Sequence, residues 1–78
     1  MLLALTPTME DYLETIITLE STKKAVRVKD IAKALKVKMP SVTSALGKLS
    51  EKNLVNHEKY GYVELTNKGK EVATEICR

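Results

Sequence analysis

The side chains with the clearest chemical potential cluster just after the middle of the chain. From Pro40 onward, small hydroxyl side chains and a lysine alternate with apolar residues at helical spacing. Hydroxyl and ammonium groups on one helix face donate hydrogen bonds to phosphate oxygens and to base edges. A helix that starts at a proline is also expected to leave backbone N–H groups free for an anion. The residues expected on this outward face, with the lysine before it, are Lys38, Pro40, Ser41, Thr43, Ser44 and Lys48.

This face contains no arginine, asparagine or glutamine. Those are the side chains that pair with a single base through two hydrogen bonds. If the partner is DNA, discrimination between sequences is therefore expected to depend on weak contacts, thymine methyl groups and DNA shape. The alternative is that the serines and threonines only keep a surface helix hydrated.

Asp11 and Glu14 form a second candidate pair, three residues apart near the start of the chain. On a helix this spacing puts both carboxylates on one face, where their oxygens have the chemistry to share a divalent cation. A solvated acidic face has the same pattern, so spacing alone leaves both interpretations open. The sequence contains no Cys–His or His–carboxylate arrangement and no glycine-rich phosphate loop. We therefore predict that the protein is not an enzyme.

The net charge of +3 is distributed unevenly over the 78 residues. Residues 1–22 contain four acidic side chains and no basic one, whereas residues 23–48 contain eight basic side chains and one acid, Asp30. Residues 49–78 contain five of each sign. A basic segment of this density, which includes Arg27, is typical of a protein that binds a polyanion such as double-stranded DNA. A solvated lysine-rich surface is the alternative.

The elements that must position these residues form one domain, mainly α with a small β-hairpin. Apolar residues at helical spacing predict helices over about 7–21, 29–36 and 40–52, the first with Thr6 as N-cap and Pro7 at its first position. Alternating residues predict strands over 54–57 and 62–65, and residues 66–69 cap a last helix. The order helix-helix-helix-strand-strand-helix predicts a winged helix-turn-helix. The helix-turn-helix is expected at about 29–52 and the wing at about 54–66.

The tip of the predicted wing adds Lys59 and Tyr60, which would reach a phosphate or the adjacent minor groove. Tyr62 is explained equally well by packing on the sheet, and His57 has no second metal ligand nearby in the sequence. The complete set of predicted DNA contacts is Lys38, Pro40, Ser41, Thr43, Ser44, Lys48, Arg27, Lys59 and Tyr60.

Composition excludes several other classes of protein. Hydrophobic residues make up 44% and charged residues 29% of the chain, which is typical of a folded domain and not of a disordered tail. The apolar run Met1–Leu5 is too short to span a bilayer, and no basic residue precedes it as in a signal peptide. The single cysteine, Cys77, has no partner for an internal disulfide. We expect a cytoplasmic protein with no membrane partner and no small organic substrate.

Several segments resemble the DNA-binding domain of the diphtheria toxin repressor and manganese transport regulator family, the iron-dependent repressors. The most specific segments are residues 9–14, residues 30–32 and residues 40–43; residues 27–35, 54–55 and 65–69 also match. The last of these, Leu-Thr-Asn-Lys-Gly, is shared by many winged-helix proteins. The resemblance extends over essentially the whole chain from Thr6.

This resemblance implies a metal-activated transcriptional repressor that binds an operator as a homodimer. It matches Asp11 to a metal ligand on helix one, and Glu14 to a second ligand in manganese-type members. The remaining ligands and the dimerisation domain are expected to be absent from this chain. Mn²⁺ or Fe²⁺ would then bind an intact member, and no metal is expected to bind this chain tightly. The resemblance also puts Lys38, Pro40, Ser41, Thr43 and Ser44 where the family contacts DNA.

Two other functions remain open at this stage. One is a regulator with the same fold and no metal effector. The other is a winged-helix module whose hairpin binds a protein, for which we expect no DNA binding even at low salt.

Overall fold

The structure, a computed structural model, describes residues 6–58 and 61–76, without the side chain of Ile76. In chain order its elements are α1 (Pro7–Thr22), β1 (Val26–Arg27), α2 (Val28–Leu35), α3 (Met39–Glu51), β2 (Val55–His57), β3 (Tyr62–Leu65) and α4 (Asn67–Ile76). This order confirms the predicted winged helix-turn-helix. The boundaries of the helices lie within one residue of those predicted for α1, α2 and α3.

The start of α1 follows the capping chemistry expected from its sequence. Thr6 has an extended backbone, and its Oγ1 accepts a hydrogen bond from the Met9 N–H at 3.1 Å. Pro7 occupies the first turn, where its missing N–H costs no helical hydrogen bond. The N-terminal end of α1 is therefore fixed in place beside the rest of the domain.

The turn between α2 and α3 is held by backbone hydrogen bonds. Lys36 ends α2 in the left-handed conformation (φ 58°), and the Val37 N–H bonds to the Ala32 carbonyl at 3.0 Å. The chain then extends through Lys38, the N-cap of α3, whose carbonyl accepts from the N–H groups of both Ser41 and Val42. The start of α3 is thus fixed relative to α2.

The β-sheet has three antiparallel strands in the order β1-β3-β2. The alternating pattern of the sequence predicts β2 and β3 but not β1. In the structure Val26 pairs with Val63 and Arg27 pairs with Tyr62. Two residues are too few to produce a recognisable alternating pattern, which is why β1 escaped sequence-based detection.

The core is formed by all four helices and the sheet. In the described residues it contains no buried polar or charged side chain. The residues predicted to face inward from α3 are all buried: Val42, Ala45, Leu46 and Leu49. The opposite face of α3 is therefore free to contact a partner. None of the helices in residues 6–58 and 61–76 has the length and apolar content to cross a bilayer.

Candidate nucleic-acid interface

The outward face of α3 carries the polar side chains that the sequence predicted. We call Pro40, Ser41, Thr43, Ser44 and Lys48, together with the preceding Lys38, the polar face of α3, and each of these residues is exposed. The inward stripe of α3 is fully packed, so the helix cannot rotate without exposing its apolar residues. The polar face is therefore presented in one fixed orientation.

The first turn of α3 offers fewer free backbone donors than expected. The sequence predicted free N–H groups after the proline start. Pro40 has no N–H, and the Ser41 N–H already bonds to the Lys38 carbonyl at 3.0 Å. Fewer N–H groups are therefore free than predicted, because the tight first turn uses the Ser41 N–H, which an ideal helix start leaves free. Contacts to an anion at this end must come mainly from side chains.

A groove of about 630 Å³ runs between the N-terminal end of α1 and the polar face of α3. We call it the α1–α3 groove. Hydroxyl groups from both helices and one ammonium group line it, above an apolar floor that includes Met9 and Tyr12. Burial raises the pKa of the Tyr12 phenol above its usual value, so the phenol is neutral at ordinary pH. The polar lining residues are Thr6, Thr8, Ser41, Ser44 and Lys48.

Arg27 lies away from this groove, on β1, paired across the sheet with Tyr62. Its guanidinium group donates a hydrogen bond to the Tyr62 hydroxyl at 2.7 Å and stands 4.8 Å from the centre of the ring. The hydrogen bond raises the pKa of Arg27 above its usual value, and an arginine is charged at all physiological pH values. The result is an oriented, exposed cation beside the turn of the wing, since Tyr62 is the first residue of β3 after that turn.

Two of the predicted DNA contacts, Lys59 and Tyr60, lie outside the described residues. The residue that follows them is tied to the start of α2, since the Val28 N–H bonds to the Gly61 carbonyl at 3.2 Å. Gly61 has φ 86°, a conformation that glycine adopts without strain. His57 is exposed at the end of β2.

The two candidate metal ligands, Asp11 and Glu14, both lie on α1. Asp11 is exposed and Glu14 is half-buried. Their carboxylate oxygens suit a hard divalent cation. In the part of the chain that the structure describes, however, there is no group of three or more His, Cys, Asp or Glu side chains that could hold a metal. The two carboxylates are suitable ligands for a divalent cation. Two ligands are too few to form a complete metal site.

Sequence analysis missed three residues that the structure associates with these surfaces. Thr6 and Thr8 join the α1–α3 groove because α1 packs beside α3, which no local pattern reveals. Tyr62 holds Arg27 from 35 residues away. No local pattern reveals this pair either, because β1 forms only through its pairing with β3.

Comparison with known proteins identifies relatives of this architecture. Residues 4–63 match the family model described as "Iron dependent repressor, N-terminal DNA binding domain". The HTH-type transcriptional regulator MntR of Bacillus velezensis is 44% identical over 71 residues, which are 91% of this chain and 50% of that protein. The chain thus spans about half the length of this curated relative.

Solved structures with the same fold extend the comparison. IdeR from T. acidophilum superposes with a TM-score of 0.77 at 29% identity, covering 92% of this chain and 33% of that one. MarR from E. coli, in its reduced form, gives a TM-score of 0.82 at 22% identity, covering 95% of this chain and 52% of that one. At that level of identity MarR supports the fold and nothing further.

Proposed function

Because the chain belongs to the iron dependent repressor family, whose N-terminal DNA-binding domain it carries, we propose that it is the operator-binding part of a metal-dependent transcriptional repressor. The family consists of transcriptional regulators and not of enzymes, as the sequence predicted. The observation that carries the proposal is the polar face of α3. It is exposed, it is held in one orientation, and it includes a lysine at each end.

In the proposed complex, α3 enters the major groove with its N-terminal end foremost, as the second helix of a helix-turn-helix does. Lys38 and Lys48 neutralise phosphates on either side. Ser41 and Thr43 reach base edges through short side chains, and Ser44 faces the α1–α3 groove. A phosphate next to this groove would receive hydrogen bonds from hydroxyl groups of both helices, including Thr8.

The wing supplies a second set of proposed contacts. Arg27 lies beside the turn of the wing with its guanidinium oriented by Tyr62, and a guanidinium matches the geometry of a phosphate. Lys59 and Tyr60 at the tip are proposed to contact a phosphate or the minor groove. These contacts would lie one groove away from those of α3, which is the usual spacing for a winged helix-turn-helix.

A single module of this size buries only about 600–1,000 Å² of protein surface on DNA. We therefore propose that the intact regulator binds as a homodimer on two half-sites, since pairing two modules raises affinity. Its place of action would be the cytoplasm, where its operator is.

We also propose that Asp11 and Glu14 contribute to a Mn²⁺ or Fe²⁺ site in the intact protein. Such a cation would supply positive charge that holds the two carboxylates of α1 together. Within residues 6–58 and 61–76 they have too few partners to complete a site. Isothermal titration calorimetry of the 78-residue chain with MnCl₂ should therefore show only weak binding, and Asp11→Ala should remove it.

Tight binding of Mn²⁺ that survives Asp11→Ala would contradict this assignment. The same measurement applies to a longer form that includes any second domain. If Mn²⁺ does not bind that form, and Asp11→Ala has no effect on it, the result would instead favour a regulator of the same fold without a metal effector.

The proposed function is tested by selecting duplexes from a randomised DNA library with the chain and measuring affinity by fluorescence anisotropy. Lys38→Ala and Lys48→Ala should weaken binding to all duplexes alike, because phosphates carry no sequence information. Ser41→Ala and Thr43→Ala should change which duplexes are preferred.

Lys70→Ala, which removes an exposed lysine of α4, is the matched control and should change neither affinity nor preference. A chain that enriches no sequence, or variants of the polar face that behave like Lys70→Ala, would refute the proposal.

A further inference from the structure

The start of α3 exposes an apolar side chain that none of the proposed contacts uses. Among the described residues, the large hydrophobic side chains left exposed are Val37, 39% exposed, and Met39, 50% exposed. Both lie within three residues of each other, at the turn that leads into α3. Every other large apolar side chain of α3 is buried. These two side chains lie next to the polar face, where a partner that contacts α3 would reach them.

Met39 is held in a defined place. It is the first residue of α3, directly after the N-cap Lys38. The Lys38 carbonyl accepts hydrogen bonds from Ser41 at 3.0 Å and Val42 at 3.3 Å, and this closes the first turn around Met39. Its backbone is therefore ordered, while its unbranched side chain keeps the freedom to adapt to a surface.

We propose that Met39 is a specificity-determining residue that reads thymine in the major groove, by packing its side chain against the thymine 5-methyl group. The proposal rests on the proposed function, because it requires α3 to enter that groove. The N-terminal residues of a recognition helix are the ones that reach base edges. The thymine methyl is the apolar group that base pairs display in the major groove.

The other side chains of α3 leave a role for an apolar contact to a base. The polar face carries hydroxyl groups and a lysine, and none of its described side chains is a guanidinium or a carboxamide. Hydroxyl groups contact several bases and discriminate poorly. Met39 is the longest exposed side chain at the N-terminal end of α3 that has no charge, so it is the side chain best suited to distinguish thymine from cytosine.

The charges around the patch favour DNA over a protein as its occupant. Lys36 and Lys38 are exposed on either side of Val37, and a third lysine, Lys33, is exposed on the preceding helix. Cations beside an apolar contact fit a thymine methyl flanked by phosphates. Val37 belongs to the turn and precedes α3, so it is not expected to reach a base.

The test uses a duplex selected from a randomised library by the wild-type chain. The same duplex is synthesised with deoxyuridine in place of single thymidines, which removes only the methyl group. At one or two positions the wild-type affinity should fall about fourfold per methyl group, the effect of losing one buried CH₂-sized contact. For Met39→Ala and Met39→Gln the same replacement should change the affinity less than about twofold.

Val37→Ala is the matched control, since it also shortens an exposed apolar side chain, and it should keep the fourfold loss. Thermal unfolding of each variant checks folding, and the exposure of Met39 predicts an unchanged midpoint. Two results would overturn this inference and leave the proposed function intact. One is wild-type affinity that deoxyuridine changes at no position. The other is a fourfold loss of affinity on deoxyuridine replacement in both Met39 variants. A wild-type chain that selects no duplex overturns both the inference and the proposed function.

Discussion

Arg27 and Tyr62 show how single residues prepare a surface for a partner. An exposed arginine usually samples many rotamers, and ordering it on a ligand costs conformational entropy. Here the Tyr62 hydroxyl accepts a hydrogen bond from the guanidinium at 2.7 Å, and the ring lies 4.8 Å away. The backbone of Arg27 is fixed as well, because its N–H donates to the Asp30 carboxylate at 3.0 Å. The Arg27 side chain is therefore largely ordered before it contacts a ligand.

From this arrangement we expect Tyr62→Phe to weaken DNA binding about two- to fivefold, as one hydrogen bond is lost while the ring stays. The thermal unfolding midpoint should change little, because the pair is exposed. The affinity of the double variant Tyr62→Phe/Arg27→Ala provides the check. It should equal that of Arg27→Ala alone, since Tyr62 acts only through Arg27. Effects of the two substitutions that add in full would show that Tyr62 has no positioning role.

At the scale of the elements, the hairpin and α4 meet at Gly69. A Cβ atom at this residue would lie 2.0 Å from the Leu54 carbonyl oxygen and 3.0 Å from its carbon. The same oxygen accepts the Thr66 N–H at 3.0 Å, and Thr66 in turn caps α4 by accepting the Gly69 N–H at 2.9 Å. Close approach of two backbones, and not a special dihedral angle, requires glycine here.

Gly69→Ala is therefore expected to lower the free energy of unfolding by about 3 kcal/mol, because backbone must move to admit the methyl group. Gly47 is the matched control, since its Cβ position meets nothing within 4 Å and it lies inside α3. Gly47→Ala should raise stability by about 1 kcal/mol through helix propensity alone. Urea denaturation followed by circular dichroism measures both changes, and equal effects of the two substitutions would contradict this account of Gly69.

How far the sequence predicts these elements depends on the range of the interactions that form them. The face of α3 was predicted residue by residue, because Val42 and Leu46 recur at helical spacing and fix which side is buried. The strand β1 was not predicted, since it exists only through its pairing with β3. The α1–α3 groove and the Arg27–Tyr62 pair were missed for the same reason: they depend on residues distant in the chain.

In the folded molecule, the basic and acidic segments of the chain lie on different helices. The basic segment over residues 23–48 contains α2, the turn and most of α3, including its polar face. The four acids of residues 1–22 all lie on α1. A domain that is basic around its recognition helix and acidic on another helix is attracted to DNA in one orientation.

The salt dependence of binding shows whether the lysines around α3 contact DNA phosphates. The measurement is the affinity of the chain for a duplex as a function of salt concentration, by fluorescence anisotropy. Each neutralised phosphate contributes a slope of about −0.9 in log affinity against log salt, so contacts from Lys38, Lys48 and Arg27 predict a slope of about −3. Lys38→Ala/Lys48→Ala should reduce its magnitude by about 2, and Lys70→Ala should leave it unchanged. A flat salt dependence, or a slope that the two interface lysines do not alter, would contradict the assignment of α3 as the DNA-binding helix.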